Sequence, residues 1–178
     1  MRVIAGRYKG RRLMAPTWDG LRPTSDKLRE TLFNILAPRI HGARVLDGYA
    51  GTGAVGIEAL SRGAAHVTFV EKDRRAVALI EANLAACGVD ADYTIENRDL
   101  IAAVRQAAGA AFDVVWLDPP YDIMDVSGAL DAASRMLAPG GLLVLERATR
   151  REPDAPASLQ RVRDVKSGDS TLTFFNRP

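Results

Sequence analysis

The feature that most constrains this chain is a repeated alternation of short apolar runs with longer segments of helical periodicity. Residues 44–47 precede 55–62, 66–70 precede 74–87, 93–96 precede 100–107, and 112–117 precede 126–136. Each pair predicts a strand followed by a helix, and four in succession imply right-handed βαβ crossovers that build a mostly parallel sheet covered on both faces. The strands are short and apolar, as a sheet without a wet face requires. Pro139-Gly140-Gly141 predicts a turn into a strand at 142–146, and runs at 160–165 and 171–175 flank Ser167-Gly168-Asp169, the signature of an antiparallel hairpin closing the sheet. The expectation is an α/β, Rossmann-like unit with seven strands.

Upstream of this series the chain reads differently. Residues 3–5 and 11–13 bracket a Gly6-to-Gly10 segment, predicting a short hairpin with Tyr8 near its tip, and a loop at 16–23 follows. Thr24 or Ser25 can cap a helix in which Leu28, Leu32, Ile35 and Leu36 share a face, with Pro38 marking its end. The expected organisation is therefore a hairpin-and-helix extension over residues 1–38 and one compact domain over 39–178. Charge separates the two parts. Residues 1–29 carry eight basic groups against Asp19 and Asp26, a net +6, whereas the chain as a whole is only +2. A basic arm on a mildly acidic body suits a phosphate backbone, because neutralising phosphates releases counterions. A merely solvated charged face reads the same way.

Other classes are disfavoured. The 178 residues contain no apolar run long enough for a bilayer and no secretory signal at the start, so a cytoplasmic protein without membrane contact is expected. Cys87 is the only cysteine, and His41 and His66 lack ligand-like spacing; no metal is expected, and Cys87 reads as a buried thiol.

Two stretches carry chemistry. Residues 45–47 run into Gly48-Tyr49-Ala50-Gly51-Thr52-Gly53-Ala54-Val55-Gly56, a strand, a Gly-rich turn and a helix start. Glycines at 51 and 53 let a ligand approach the backbone, and the first helical N–H groups favour a carboxylate or phosphate. Glu71, 20 residues beyond Gly51, is placed to accept ribose hydroxyls. Gly51, Gly53 and Gly56 also satisfy the dinucleotide fingerprint G-x-G-x-x-G, so a nicotinamide-dependent oxidoreductase stays open. Asp47 argues against it: a carboxylate there suits the cationic amino end of S-adenosylmethionine and sits awkwardly beside a pyrophosphate. Asp47 can also simply brace the loop. Asp99 can read an adenine amine or cap a helix. Tyr49, Ala50, Thr52, Lys72 and Leu100 complete the expected cofactor surface.

The second stretch is Asp118-Pro119-Pro120-Tyr121, delivered at the carboxyl end of the fourth strand, where open α/β sheets bind ligands. An exocyclic amine on a base is a poor nucleophile because its lone pair is delocalised. The Asp118 carboxylate and the Pro119 carbonyl can accept its two hydrogens and favour the pyramidal nitrogen of the transition state, while Tyr121 stacks on the base and the prolines hold the acceptors in place. Asp118 or solvent can take the released proton. Adenine N6, cytosine N4 and a glutamine amide present similar planar amines, and a silent RNA-binding module is a further alternative.

With these residues the chain resembles the bacterial 16S ribosomal RNA guanine-N2 methyltransferases of the RsmD type over nearly its whole length. The resemblance is carried by Arg2-Val3-Ile4-Ala5-Gly6 with Gly10-Arg11-Arg12-Leu13, by LRPTSDKLRETLFNILAP at 21–38, by LDGYAGTGAVGIEALSRGA at 46–64, and by DPPY. It implies a class I S-adenosylmethionine-dependent fold. Asp47, Gly51, Gly53, Glu71 and Asp99 would line the cofactor site, and Asp118 to Tyr121 the amine site. The basic hairpin, with Arg2, Arg7, Tyr8, Lys9, Arg11, Arg12 and Arg22, would grip 16S rRNA in the small subunit or an assembly intermediate. A monomer is expected. Gly48 is smaller than the family's usual residue, which suggests a more flexible loop here, and Tyr49 replaces the more frequent Phe. The roles of Arg147, Arg150 and Arg151 stay open between RNA contact and solvent.

Overall fold

The computed structural model describes residues 1–21, 24–106, 109, 111–120 and 126–178. Seven strands form one sheet in the order β3-β2-β1-β4-β5-β7-β6. Its parallel part comprises β1 (Arg44–Asp47), β2 (His66–Val70), β3 (Tyr93–Glu96) and β4 (Phe112–Leu117), together with β5 (Leu137–Ala148). The antiparallel part is β6 (Gln160–Ser167) and β7 (Ser170–Asn176), with β7 inserted between β5 and β6. A two-residue turn, Gly168-Asp169, joins them, with Gly168 at φ +64° where a side chain would be strained. The helices are α1 (Asp26–Ile40), α2 (Ala54–Ser61), α3 (Arg74–Cys87), α4 (Leu100–Gln106) and α5 (Ser127–Ser134). No helix among the described residues is long and apolar enough to cross a membrane.

Side-chain alternation along the strands divides the interior in two. Val45, Val67, Phe69, Val114, Trp116 and Val144 face a core completed by α1, α2 and α3. Leu46, Val70, Val115, Leu117, Leu143 and Leu145 face the other side, against α4 and α5. The chain order reverses beside β1: β2 lies on one side and β4 on the other, which opens a crevice at the carboxyl rim between them.

Two boundaries differ from the sequence reading. Pro139-Gly140-Gly141 is not a turn before a strand but a bulge inside β5: Phe112 pairs with Leu137 and Val114 with Leu142, so the extra residues are looped out while pairing resumes. Pro38 lies inside α1, which continues to Ile40. In the last turn a proline forgoes only one hydrogen bond, to the carbonyl of the exposed Asn34, and so the helix continues past it. Of the residues expected on its apolar face, Leu28, Leu32 and Leu36 are buried with Phe33, while Ile35 is only partly covered.

The N-terminal hairpin forms through an antiparallel bridge between Arg2 and Arg12, with Val3 N–H donating to the Arg11 carbonyl and Gly10 N–H to that of Val3. It is seated on α2 by a buried carboxylate. Glu58 accepts hydrogen bonds from Ile4 N–H (2.8 Å), Ala5 N–H (3.0 Å) and Arg62 Nε (2.7 Å), and Arg29 Nη1 approaches to 3.6 Å. Arg29 is itself fully buried, its Nη2 donating to Asp26 and to the Arg2 carbonyl. It is therefore internal rather than part of a phosphate-facing surface. Gly6 permits the close seating, since a Cβ there would lie 1.8 Å from the Ser61 carbonyl oxygen.

Replacing Glu58 by Ala leaves the Ile4 and Ala5 amides and Arg62 Nε without their acceptor and removes a buried counter-charge of Arg29. The expected loss is about 3 to 5 kcal/mol in denaturant unfolding, with faster hydrogen exchange at Ile4 and Ala5. Wild-type stability in that variant would show that the carboxylate does not seat the hairpin.

Candidate active site at the carboxyl rim of the sheet

A cleft of about 740 Å³ opens at the rim where β1, β4 and β5 end. Its floor is the loop after β1. Gly51 (φ +55°) and Gly53 (φ +76°) take left-handed backbone conformations, and Gly53 caps α2. Ala50 N–H donates to the Val70 carbonyl at 3.1 Å and Gly53 N–H to that of Ala50 at 2.7 Å, so the loop is closed on itself and on β2. Gly48 is not a point of looseness. Its N–H donates to the Trp116 carbonyl at 2.8 Å, and a Cβ there would stand 2.5 Å from the Leu117 side chain, so the position is small because it is crowded.

Asp47 lies beneath this loop, almost wholly buried. Its Oδ2 accepts from Gly56 N–H at 3.0 Å, which is the bracing role open from sequence, but Oδ1 is buried without a hydrogen-bond partner. Burial raises its pKa to about 7, opposed by the Gly56 hydrogen bond and reinforced by the nearby Glu71. An unsatisfied anionic oxygen beside a cleft fits a cationic amino group and disfavours a pyrophosphate. Glu71 accepts Gly51 N–H at 3.0 Å and Asp73 N–H at 2.8 Å, tying the loop to the end of β2.

Among the residues expected from sequence, the cleft is lined by Asp47, Tyr49, Ala50, Gly51, Thr52, Lys72, Asp118, Pro119 and Pro120. Gly53, Glu71, Asp99 and Leu100 do not line it. Asp99 is exposed and accepts Ala102 N–H at 2.9 Å, the helix-cap arrangement. Leu100 is buried in the core against α5. Tyr121 and Arg22 lie outside the described residues. Tyr8 is buried beneath the hairpin, with the guanidinium carbons of Arg7 and Arg11 at 5.4 and 5.6 Å from its ring centre. Arg2, Arg7, Lys9, Arg11 and Arg12 are exposed, although Arg11 also donates to the Cys87 carbonyl, above a buried thiol. Arg147 is buried, bonded to Thr173, Asp164 and the Arg151 carbonyl, so it is a structural cation.

Sequence reasoning missed several members of the cleft. Thr24 does not cap α1; Ser25 does, accepting Leu28 N–H at 3.2 Å. Thr24 Oγ1 instead donates to Asp118 Oδ2 at 3.2 Å, bringing the N-terminal extension into the site. Glu146 of β5 and the β6–β7 turn also line the cleft. The signal for Glu146 was a single acid closing the apolar run Leu142 to Leu145, at the same rim as Asp118.

Strand register explains how these acids meet. Trp116 pairs with Val144 and Leu117 with Leu145, so Asp118 and Glu146 come next along the same two strands. Trp116 and Val144 face the α1 side, and residues two further on return to it. The Glu146 carboxyl lies near enough to that of Asp118 to act on its ionisation. Burial pushes the Asp118 pKa well up, the Glu146 carboxyl pushes it further, and the Thr24 hydroxyl opposes both.

Comparison with known proteins places the chain among described relatives. The family model described as Conserved hypothetical protein 95 matches residues 1–176. The chain is 35% identical over 184 residues to Ribosomal RNA small subunit methyltransferase D of Escherichia coli K12, covering 99% of this chain and 90% of that protein. The Haemophilus influenzae protein of the same name is 39% identical over 150 residues, 82% of this chain and 78% of the relative. The solved structure of yhhF from Escherichia coli superposes with a TM-score of 0.86 at 34% identity, over 99% of this chain and 97% of that one.

Asp47 allows a test of the charge argument. Its folded pKa lies above the usual 3.8, so the folded state holds a proton that the unfolded state has released, and stability falls as pH rises from about 4 to about 7. Asp47→Asn retains an acceptor for Gly56 and removes this dependence. Relative to wild type it should gain up to roughly 4 kcal/mol between those pH values in denaturant melts, while losing thermal stabilisation by S-adenosylhomocysteine. A variant with the wild-type pH slope would refute the buried-charge reading.

Proposed function

The chain belongs to the family described as Conserved hypothetical protein 95, and on that premise we propose that it is an S-adenosylmethionine-dependent methyltransferase acting on the exocyclic N2 amine of a guanine in 16S ribosomal RNA of the small subunit. The observation that carries this reading is the meeting, in one cleft, of the loop over Asp47 with Asp118 and Pro119 at the end of the neighbouring strand. S-adenosylmethionine supplies a methyl group on a sulfonium sulfur, whose C–S bond breaks as the N–C bond forms.

The protein's part is to bind, orient and accept. Asp47 holds an acceptor for the cofactor's amino end, and the left-handed backbone at Gly51, which lines the cleft, leaves room for close approach. Asp118 and the Pro119 carbonyl accept the amine hydrogens and draw the lone pair onto nitrogen, an interaction strongest near the transition state. Thr24 holds the Asp118 carboxyl in place before substrate arrives. Tyr121 is assigned the stacking role. The released proton passes to the carboxyl pair or to solvent.

Residues 1–38 serve in this reading as the RNA-binding extension of the 39–178 unit. Exposed Arg2, Arg7, Lys9, Arg11 and Arg12 offer phosphate contacts, with Tyr8 as a buried platform beneath two of them and Arg22 completing the arm. The cleft is lined at its base by acids, so the phosphate backbone is held outside while an uncharged base enters. The protein acts as a monomer on the small subunit or an assembly intermediate, in the cytoplasm.

Methyl transfer from labelled S-adenosylmethionine to unmodified small subunits, followed by nucleoside mapping, should place the label on guanine N2. Asp118→Ala should lower kcat/KM by about 10² to 10⁴-fold with the S-adenosylhomocysteine thermal shift intact; full turnover in that variant contradicts the chemistry. Replacing Arg7, Lys9 and Arg12 together by Ala should reduce the slope of log affinity against log salt by about 2 to 3, and an unchanged slope would remove the hairpin from the RNA surface.

A further inference from the structure

We propose that Glu146 is the residue that selects guanine, by presenting with Asp118 a paired acceptor to the adjacent N1–H and N2–H donors of that base. The inference rests on the function proposed above and adds to it the group that distinguishes one planar amine from another.

The candidate acceptors differ in the atom that stands beside the amine. In adenine the ring atom beside the exocyclic amine, N1, carries a lone pair, and so does N3 of cytosine. A glutamine amide likewise has its carbonyl oxygen beside the nitrogen. Guanine is different, because N1 beside its amine carries a hydrogen. One acceptor at the amine serves all of these substrates, and a second acceptor next to it favours guanine and repels the rest. A flipped base is read along this edge, and a buried acceptor left facing a lone pair is costly.

The cleft provides that second acceptor. Glu146 is about 95% buried yet lines the same cleft as Asp118. Adjacent strands stand about 4.8 Å apart, and the β4–β5 register puts the two residues side by side on one face. Each carboxyl receives a hydroxyl from a different side: Thr24 Oγ1 donates to Asp118 at 3.2 Å, and Ser170 Oγ donates to Glu146 Oε1 at 3.0 Å. These bonds fix the carboxyls as acceptors and leave them in a defined orientation. Both carboxyls line the cleft, and Glu146 stands close enough to raise the Asp118 pKa, as a neighbouring acid does. Substrate is then met by two oxygen acceptors in a row, the complement of two N–H donors in a row. Ser167 to Ser170, at the β6–β7 turn, form the wall beyond Glu146 and limit how far the base can slide.

The test uses small subunits assembled with RNA carrying either guanine or 2-aminopurine at the mapped nucleotide. 2-Aminopurine keeps the amine but has a bare lone pair at N1. Wild-type protein should methylate it with kcat/KM lower by on the order of a hundredfold. In Glu146→Gln the amide N–H can donate to that lone pair. Activity on guanine should fall by a similar factor, and the discrimination between the two bases should shrink to less than about tenfold, while the S-adenosylhomocysteine thermal shift stays at its wild-type value. Because the change in discrimination is read between two substrates, a general loss of fold cannot imitate it, and the wild-type comparison stands if the variant does not fold. Equal methylation of both bases by the wild type overturns the role of Glu146 and leaves guanine as the acceptor. A label mapped to adenine or cytosine overturns both readings.

Discussion

Glu58 sits at the point where the hairpin, α1 and α2 converge, and its full burial would be prohibitive without the donors around it. Two hairpin amides and Arg62 satisfy the carboxylate, and Arg29 offsets its charge. This one group sets the position of the N-terminal extension against the helix that begins at the Gly-rich loop after β1. From that placement follows the direction in which α1 enters, and hence the reach of Thr24 to Asp118. The extension thus reaches the cleft through Thr24 as well as carrying the exposed basic hairpin, and both placements depend on the same anchor.

The second organising constraint is the segregation of charge. Asp47, Asp118 and Glu146 lie at one rim and on one face of the sheet, where burial raises the pKa values of Asp47 and Asp118, Glu71 adding to the first and Glu146 and Asp47 to the second. Acids packed so closely oppose folding, and their persistence at a ligand cleft is what a functional requirement produces. Five exposed cations, Arg2, Arg7, Lys9, Arg11 and Arg12, sit on the hairpin, while Lys27 and Lys72 line the cleft with the acids.

Most of the sheet was legible in the sequence because covered strands are read from composition alone. The limits of β1, β2, β3 and β4 agree with the apolar runs that predicted them. What escaped reading depended on contacts between distant residues. Thr24 and Ser25 are equivalent as caps until Asp118 is placed beside one of them. Arg29 looks like any other cation of a basic arm until α2 covers it. The bulge in β5 is hidden because Pro139-Gly140-Gly141 is also ordinary turn chemistry, and only pairing with β4 shows the strand continuing on both sides. Glu146 was read as the end of a strand, since an acid gains meaning there only once Asp118 is its lateral neighbour.

The contact from Thr24 to Asp118 spans 94 residues, and that from Arg39 to the Gly140 carbonyl in the β5 bulge spans 101. The segment synthesised first is consequently among the last to settle. At about 5 to 20 residues per second on the ribosome, the arm waits several seconds for β4 and β5 to emerge, with its basic groups exposed and its apolar helix face uncovered. Loop closure over such separations slows folding, and a nascent chain of this topology has reason to be chaperoned through that interval.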